Sequence, residues 1–210
     1  GVAGATVGHG LGVIPKMYIV KMVGPYARNW YVYHAYNTTA PEDVHFLLDT
    51  TTATSNNVLI WNDTAPTSTV FSLGTSAAIN ANTEQYIGYS FADVEGFSKF
   101  SFYTGNGNAD GPYVYTGFKP AWVMIRKTNA TGNDVIYDSQ RSPYNEMDDQ
   151  LLANTTAAET TGSEEIDFLA NGFKIRTTDS AVNTSSGNYI YACFAEYPFG
   201  GEDITPATTF

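Results

Sequence analysis

The chain has 210 residues, with 10 Lys and Arg against 21 Asp and Glu, giving a formal charge of −11 and a pI of about 4.4. Neutralising phosphates needs clustered Lys and Arg, and Arg126-Lys127 is the one adjacent basic pair, so the charge argues against nucleic acid and anionic membrane surfaces as partners. Apolar residues make up 43 %, enough for a substantial core and too many for general disorder, while no apolar run reaches the ~18 residues of a membrane helix.

The 15 Tyr, 12 Phe and 3 Trp, together with 26 Thr, favour pleated sheet, and 15 % charged residues leave little material for amphipathic surface helices. The expectation is an all-β chain. It starts at Gly1 without a Met or a charged and then apolar leader, as expected for a processed chain or a piece of a longer one.

In chain order, β-branched and aromatic runs bounded by Gly, Pro, Asn or Thr predict strands at 17–22, 30–36, 58–61, 70–73 and 86–92. After the turn-rich stretch 104–117 the same signals recur at 121–126, 135–137, 173–176 and 189–195. The polar loops 24–29 and 128–133 make the first two strands of each set antiparallel hairpins. Acidic residues ahead of Leu pairs predict short helical turns within 41–49 and 146–152.

The recurrence is an internal repeat. Pro15-Lys-Met-Tyr-Ile-Val-Lys21 returns as Pro120-Ala-Trp-Val-Met-Ile-Arg126, and Trp30-Tyr-Val-Tyr33 as Asp134-Val-Ile-Tyr137. Leu47-Leu-Asp-Thr-Thr-Thr-Ala53 returns as Leu151-Leu-Ala-Asn-Thr-Thr-Ala157, and Tyr86-Ile-Gly-Tyr-Ser-Phe-Ala-Asp93 as Tyr189-Ile-Tyr-Ala-Cys-Phe-Ala-Glu196. Four blocks in one order at offsets of 103 to 105 define two tandem homologous modules, 1–104 and 105–210, each of about 100 residues. Short strands separated by turns predict antiparallel, β-sandwich-like modules, with the aromatic rings filling the ~10 Å between packed sheets.

Candidate chemistry is sparse. Cys193, the single cysteine, excludes an internal disulfide and reads as a buried small hydrophobe. His9, His34 and His45 have no metal-ligand spacing, and His34, matched by Asp138 in the repeat, reads as a strand-end hydrogen-bonding group. Asp93 with Glu95, Asp148 with Asp149, and Glu164, Glu165 and Asp167 are the carboxylate clusters available for glycosidase-type chemistry. Solvated surface charge is the simpler account of them, and only Asp93 keeps its acidity in the repeat, as Glu196.

Asn106, Asn108 and Asp110, followed by Gly111, match the first half of a calcium loop, but Gly117 stands where the bidentate Glu belongs. Calcium is therefore the single cofactor candidate, against a plain inter-module turn. Phosphate-loop, dinucleotide and nucleophile-elbow motifs are absent. Sequons at Asn37, Asn62, Asn129, Asn154 and Asn183 follow from the Thr- and Asn-rich composition.

The phrases Gly8-His-Gly-Leu-Gly-Val-Ile-Pro15, Pro66-Thr-Ser-Thr-Val-Phe-Ser-Leu-Gly74, Phe91-Ala-Asp-Val-Glu-Gly-Phe-Ser-Lys-Phe100 and Tyr103-Thr-Gly-Asn-Gly-Asn-Ala-Asp-Gly-Pro112 resemble a domain of unknown function. That domain recurs in tailed-phage virion proteins, especially tail-fibre-like proteins of aquatic phages. The resemblance runs from about Gly8 to Phe199 and brings no catalytic residues with it. It implies an extracellular, virion-associated β module, either a structural fibre or decoration subunit or a module for host attachment.

The expected function is thus a non-enzymatic structural subunit whose partners are copies of itself or other virion proteins, with no nucleic acid and no membrane insertion. The alternative is a carbohydrate- or receptor-binding module contacting a host-surface glycan, with Trp30, Tyr33, Trp61 and Tyr103 as stacking platforms. Because Trp30 is matched by Asp134 and Trp122 by Met17, core packing with exchanged volumes explains the Trp positions more simply than two equivalent sugar sites. A depolymerase is the third reading.

Overall fold

A computed structural model of the chain describes residues 1–162 and 165–198. Its strands are antiparallel throughout, as expected for an all-β chain, and they divide into two compact units, Gly1–Ala92 and Asp93–Phe210.

Unit 1 contains β1 (Ala5–Gly8), β2 (Met17–Met22), β3 (Tyr31–His34), β4 (Val44–Leu47), β5 (Ser55–Asn56), α1 (Val58–Trp61), β6 (Val70–Leu73), α2 (Ala77–Asn80) and β7 (Tyr86–Phe91). One sheet has the order β5-β4-β3-β2-β7, and β1 pairs with β6 in a second, two-stranded sheet. Tyr18, Val20 and Tyr33 from the larger sheet meet Phe71 and Leu73 from the smaller, with Ile60, Trp61, Ala78 and Ile79 of the helical turns in the same core.

Unit 2 contains β8 (Ser98–Thr104), β9 (Tyr113–Tyr115), β10 (Pro120–Lys127), β11 (Asp134–Asp138), β12 (Leu151–Leu152), β13 (Ile166–Leu169), β14 (Gly172–Ile175), α3 (Ser180–Asn183) and β15 (Asn188–Ala195). Its sheets run β12-β11-β10-β15-β8 and β13-β14-β9. Val123, Ile125, Tyr137, Tyr189 and Tyr191 of the first share a core with Val114, Phe168, Phe173 and Ile175 of the second. In both units, side chains of two sheets thus close on one apolar layer, which is how a sheet with one hydrophobic face buries it.

Two expected elements come out differently. The run at 58–61 is a helical turn, not a strand: the Asn57 side chain accepts the Leu59 N–H at 3.0 Å and Asn62 ends the turn in the left-handed region at φ 58°. Four apolar residues fit either period, so the flanking Asn residues decide. The second expected helical turn, within 146–152, is extended instead, with bridges Met147↔Ile166 and Gln150↔Thr160 ahead of β12. Its counterpart in unit 1 is a single 3-10 turn at Pro41–Asp43, after which the chain enters β4.

His34 and Asp138 do share a strand-end role. His34 Nδ1 accepts the Tyr36 N–H at 3.2 Å, and Asp138 Oδ1 accepts the N–H groups of Gln140 and Arg141 at 3.0 Å. Each turns the chain where its strand stops.

Candidate functional site

Of the four aromatic candidates, Tyr33, Trp61 and Tyr103 belong to the cores. Tyr33 stacks on Tyr18 at 4.5 Å, Trp61 meets Tyr18 edge-on at 4.9 Å, and the Trp61 indole N–H donates to the Val44 carbonyl at 3.0 Å. Trp61 has no exposed surface and Tyr103 keeps 7 %, so neither offers a ring face to a sugar. Burial, the largest cause, raises the Tyr18, Tyr33 and Tyr103 hydroxyls above the usual phenol range, which keeps them protonated. Trp30 alone reaches the surface. It sits just ahead of β3, half-buried, with the Tyr89 ring at 6.5 Å and 21° and the Lys21 ammonium 5.4 Å from its centroid.

The carboxylate clusters are held in structural bonds. Asp93 pairs with Lys99 at 3.0 Å and accepts the Phe100 N–H at 2.8 Å, and its repeat counterpart Glu196 pairs with Lys119 at 2.7 Å. Glu95 is exposed, Ser142 Oγ bonds Asp148 and the Asp149 N–H, and Asp167 pairs with Arg176 at 2.8 Å. Glu165 is buried against the Tyr137 hydroxyl, with Gln150 Nε2 donating to it at 2.6 Å; burial, the largest effect, raises its carboxyl pKa. Glu164 lies outside the described residues.

The calcium-loop residues face their own backbone. Asn106 and Asn108 each accept the N–H two residues on, at 2.9 Å, and Lys174 sits 2.6 Å from Asp110, lowering its pKa first by hydrogen bonding and then by charge. A cation here would meet an ammonium at the one carboxylate, so the donor set does not fit calcium. Among the described residues no group of three or more His, Cys, Asp or Glu is placed to hold a metal ion. Cys193 is fully buried and donates to the Lys99 carbonyl at 3.4 Å, and burial pushes its thiol well above the usual range.

Sequence reasoning did not single out two concave sites. In unit 2 a polar cleft of about 510 Å³ is lined by Asn145, Glu146, Asp167 and Arg176. Asn145 is clamped to the Phe168 backbone by two 2.9 Å bonds, and the Arg176 guanidinium lies between Asp167 at 2.8 Å and Glu146 at 3.6 Å. A cation already compensated by two carboxylates is a structural wall rather than a reactive centre, and no spacing in the sequence announces it. In unit 1 a notch of about 270 Å³ lies beside Gly88, with Asn80 and Glu84 in its walls next to Ile79, Tyr86 and Ile87. Its signal was present in the repeat, where Gly88 stands against Tyr191.

Comparison with known families matches residues 1–198 to the family described as Domain of unknown function (DUF7483), and the chain belongs to that family. No curated protein and no solved structure matches it.

Proposed function

We propose that this member of the family is a non-enzymatic structural subunit exposed on the surface of a phage particle, of the fibre or decoration type. The observation that carries the reading is the duplication itself: two copies of one β module whose aromatic residues fill the cores. The polar groups that chemistry would need are tied into ion pairs and turns. The particle and its extracellular setting are inferred from the sequence resemblance. An acidic, Thr- and Asn-rich exterior without disulfides suits a protein that meets its own copies in water.

Light scattering of the chain over a range of concentrations tests this. A stable homo-oligomer or a growing polymer supports the structural subunit; a monomer at every concentration overturns self-assembly as its role.

One observation favours a second reading, a module that binds a host-surface glycan. Trp30 just ahead of β3 and Tyr89 of β7, with Lys21 of β2 beside them, form a partly exposed aromatic face. Such a face stacks on sugar rings. A glycan array on which binding appears and is lost on Trp30→Ala supports this reading, and binding that survives the substitution refutes it.

A further inference from the structure

Charge in the polar cleft of unit 2 is compensated, but hydrogen bonding is not. Asp167 keeps only 7 % of its surface exposed, yet among the described residues its Oδ1 has no hydrogen-bond partner. Arg176 Nε lies 2.8 Å from Asp167 Oδ2 without the alignment of a hydrogen bond, and it too has no partner. Leaving a buried charged group without its hydrogen bonds costs free energy, so an acceptor and a donor left open side by side in a cleft call for a group that satisfies both.

The strand pattern explains how they come together. Ile166, Phe168, Phe173, Ile175 and Val114 enter the core of unit 2, which turns the residues between them to the other face of β13, β14 and β9. The register sets Asp167, Lys174 and Tyr113 in one row across the three strands, and Leu169, Gly172 and Tyr115 in the next. Arg176 follows Lys174 by two residues and so shares their face. Lys174 is held by Asp110 at 2.6 Å and donates to the Gly111 carbonyl at 2.9 Å.

Tyr113 is laid across this face. Its hydroxyl donates to Asn171 Oδ1 at 2.5 Å, three residues along the chain from its pairing partner Lys174, and a Cβ at Gly172 would lie 3.1 Å from that hydroxyl. The ring therefore runs along β14 over Gly172, pinned at its tip, with 46 % of the residue exposed beside Tyr115 at 54 %. A ring fixed in this way offers a stacking surface at little cost in rotamer freedom. The second sheet of unit 1 carries no such row: beside the core positions Phe71 and Leu73, Thr6 pairs with Ser72 and Gly8 with Val70. The paired strands thus do not themselves require these tyrosines.

The chemistry of the cleft selects the ligand. An anion is repelled by Glu146 and Asp167, a cation meets the Arg176 guanidinium, and an apolar group leaves Asp167 Oδ1 and Arg176 Nε unpaired. A neutral hydroxyl donates and accepts at once, so a single one serves the carboxylate and the guanidinium together. Two strand spacings, roughly 10 Å, separate Asp167 from Tyr113, so more than one sugar ring is needed to reach both.

We propose that this face of β13, β14 and β9 binds a neutral oligosaccharide, one ring of which stacks on Tyr113 while a hydroxyl of another donates to Asp167 and accepts from Arg176. The guanidinium, 35 % exposed and held by ion pairs alone among the described residues, turns to admit that hydroxyl. The proposal rests neither on the structural-subunit reading nor on the Trp30 face.

The test is an NMR titration of the full chain with neutral trisaccharides of glucose, galactose, mannose and N-acetylglucosamine, and with trigalacturonate as the charged comparison. Saturable shifts at Tyr113, Asp167 and Arg176 are expected with at least one neutral trisaccharide, and weaker ones or none with trigalacturonate. Tyr113→Ala and Asp167→Asn should each weaken binding about tenfold, for loss of the stacking ring and of the charged acceptor, while unchanged amide shifts in β10 and β15 show that the variants fold. Absence of shifts with every neutral sugar, shifts confined to unit 1, tighter binding of trigalacturonate, or parental affinity in either variant would overturn the proposal. Binding lost on Trp30→Ala and kept by both other variants would also overturn it, by placing the sugar on the Trp30 face.

Discussion

Arg126 and Asp134 face each other across β10 and β11 with 2 % and 0 % of their side chains exposed, and the guanidinium reaches both carboxylate oxygens at 2.7 and 2.6 Å. In unit 1 the same two positions are Lys21 and Trp30, a half-exposed cation and ring. Removing one member of a buried pair strands the other charge in a medium that cannot solvate it, a loss of about 3–5 kcal/mol. Replacing both by apolar residues of similar volume removes the desolvation cost together with the attraction, and is commonly neutral.

Asp134→Ala should therefore destabilise unit 2 by about 3–5 kcal/mol, and Arg126→Met with Asp134→Leu should recover most of that loss. Because a two-unit chain need not unfold in one step, the assay is native-state amide exchange. Amides of β10 and β15 report unit 2, and those of β2 and β3 serve as the internal control. A double variant as unstable as Asp134→Ala, or a single loss below about 1 kcal/mol, would refute the desolvation argument.

Tyr86→Phe and Tyr189→Phe each delete a donated and an accepted hydrogen bond at a one-turn helix, and each should cost about 1–2 kcal/mol, more at the fully buried Tyr189. Faster amide exchange confined to α2 or to α3 checks this, and an effect spreading equally to both helices would refute it. Burial lowers the His45 pKa to about 4, so the unfolded chain takes up a proton below pH 6.5 while the folded chain resists until about pH 4. His45 thus contributes stability that is whole above pH 6.5 and drains away as the pH falls toward 4, by up to about 3 kcal/mol. Urea midpoints between pH 7 and 5 should fall more steeply for the parent chain than for His45→Leu; parallel profiles would sink the assignment.

Much of the fold was legible because the strand signal is local. Runs of β-branched and aromatic residues at Met17–Met22 and Tyr86–Phe91 favour an extended backbone. The repeat was legible for the same reason, since matching strands need matching patterns. Side-chain destination was not. Tyr33 and Trp30 are near neighbours in one aromatic run, yet one stacks in the core and the other faces outward, because pleat direction follows from which sheet face the rest of the unit covers.

The phase of a repeat is a different kind of information from its period. The sequence period is satisfied by any starting point, so the expected modules, 1–104 and 105–210, begin where the turn-rich stretch lies. Compact units begin where a linking strand chooses its sheet, and β8 pairs with β15 along seven residues, which makes unit 2 start at Asp93. The two units differ in their second sheets as well, which hold two strands, β1 and β6, in unit 1 and three, β13, β14 and β9, in unit 2. Unit 2 gains β8 and closes over Tyr103, and the large side chain at Tyr191 completes its core.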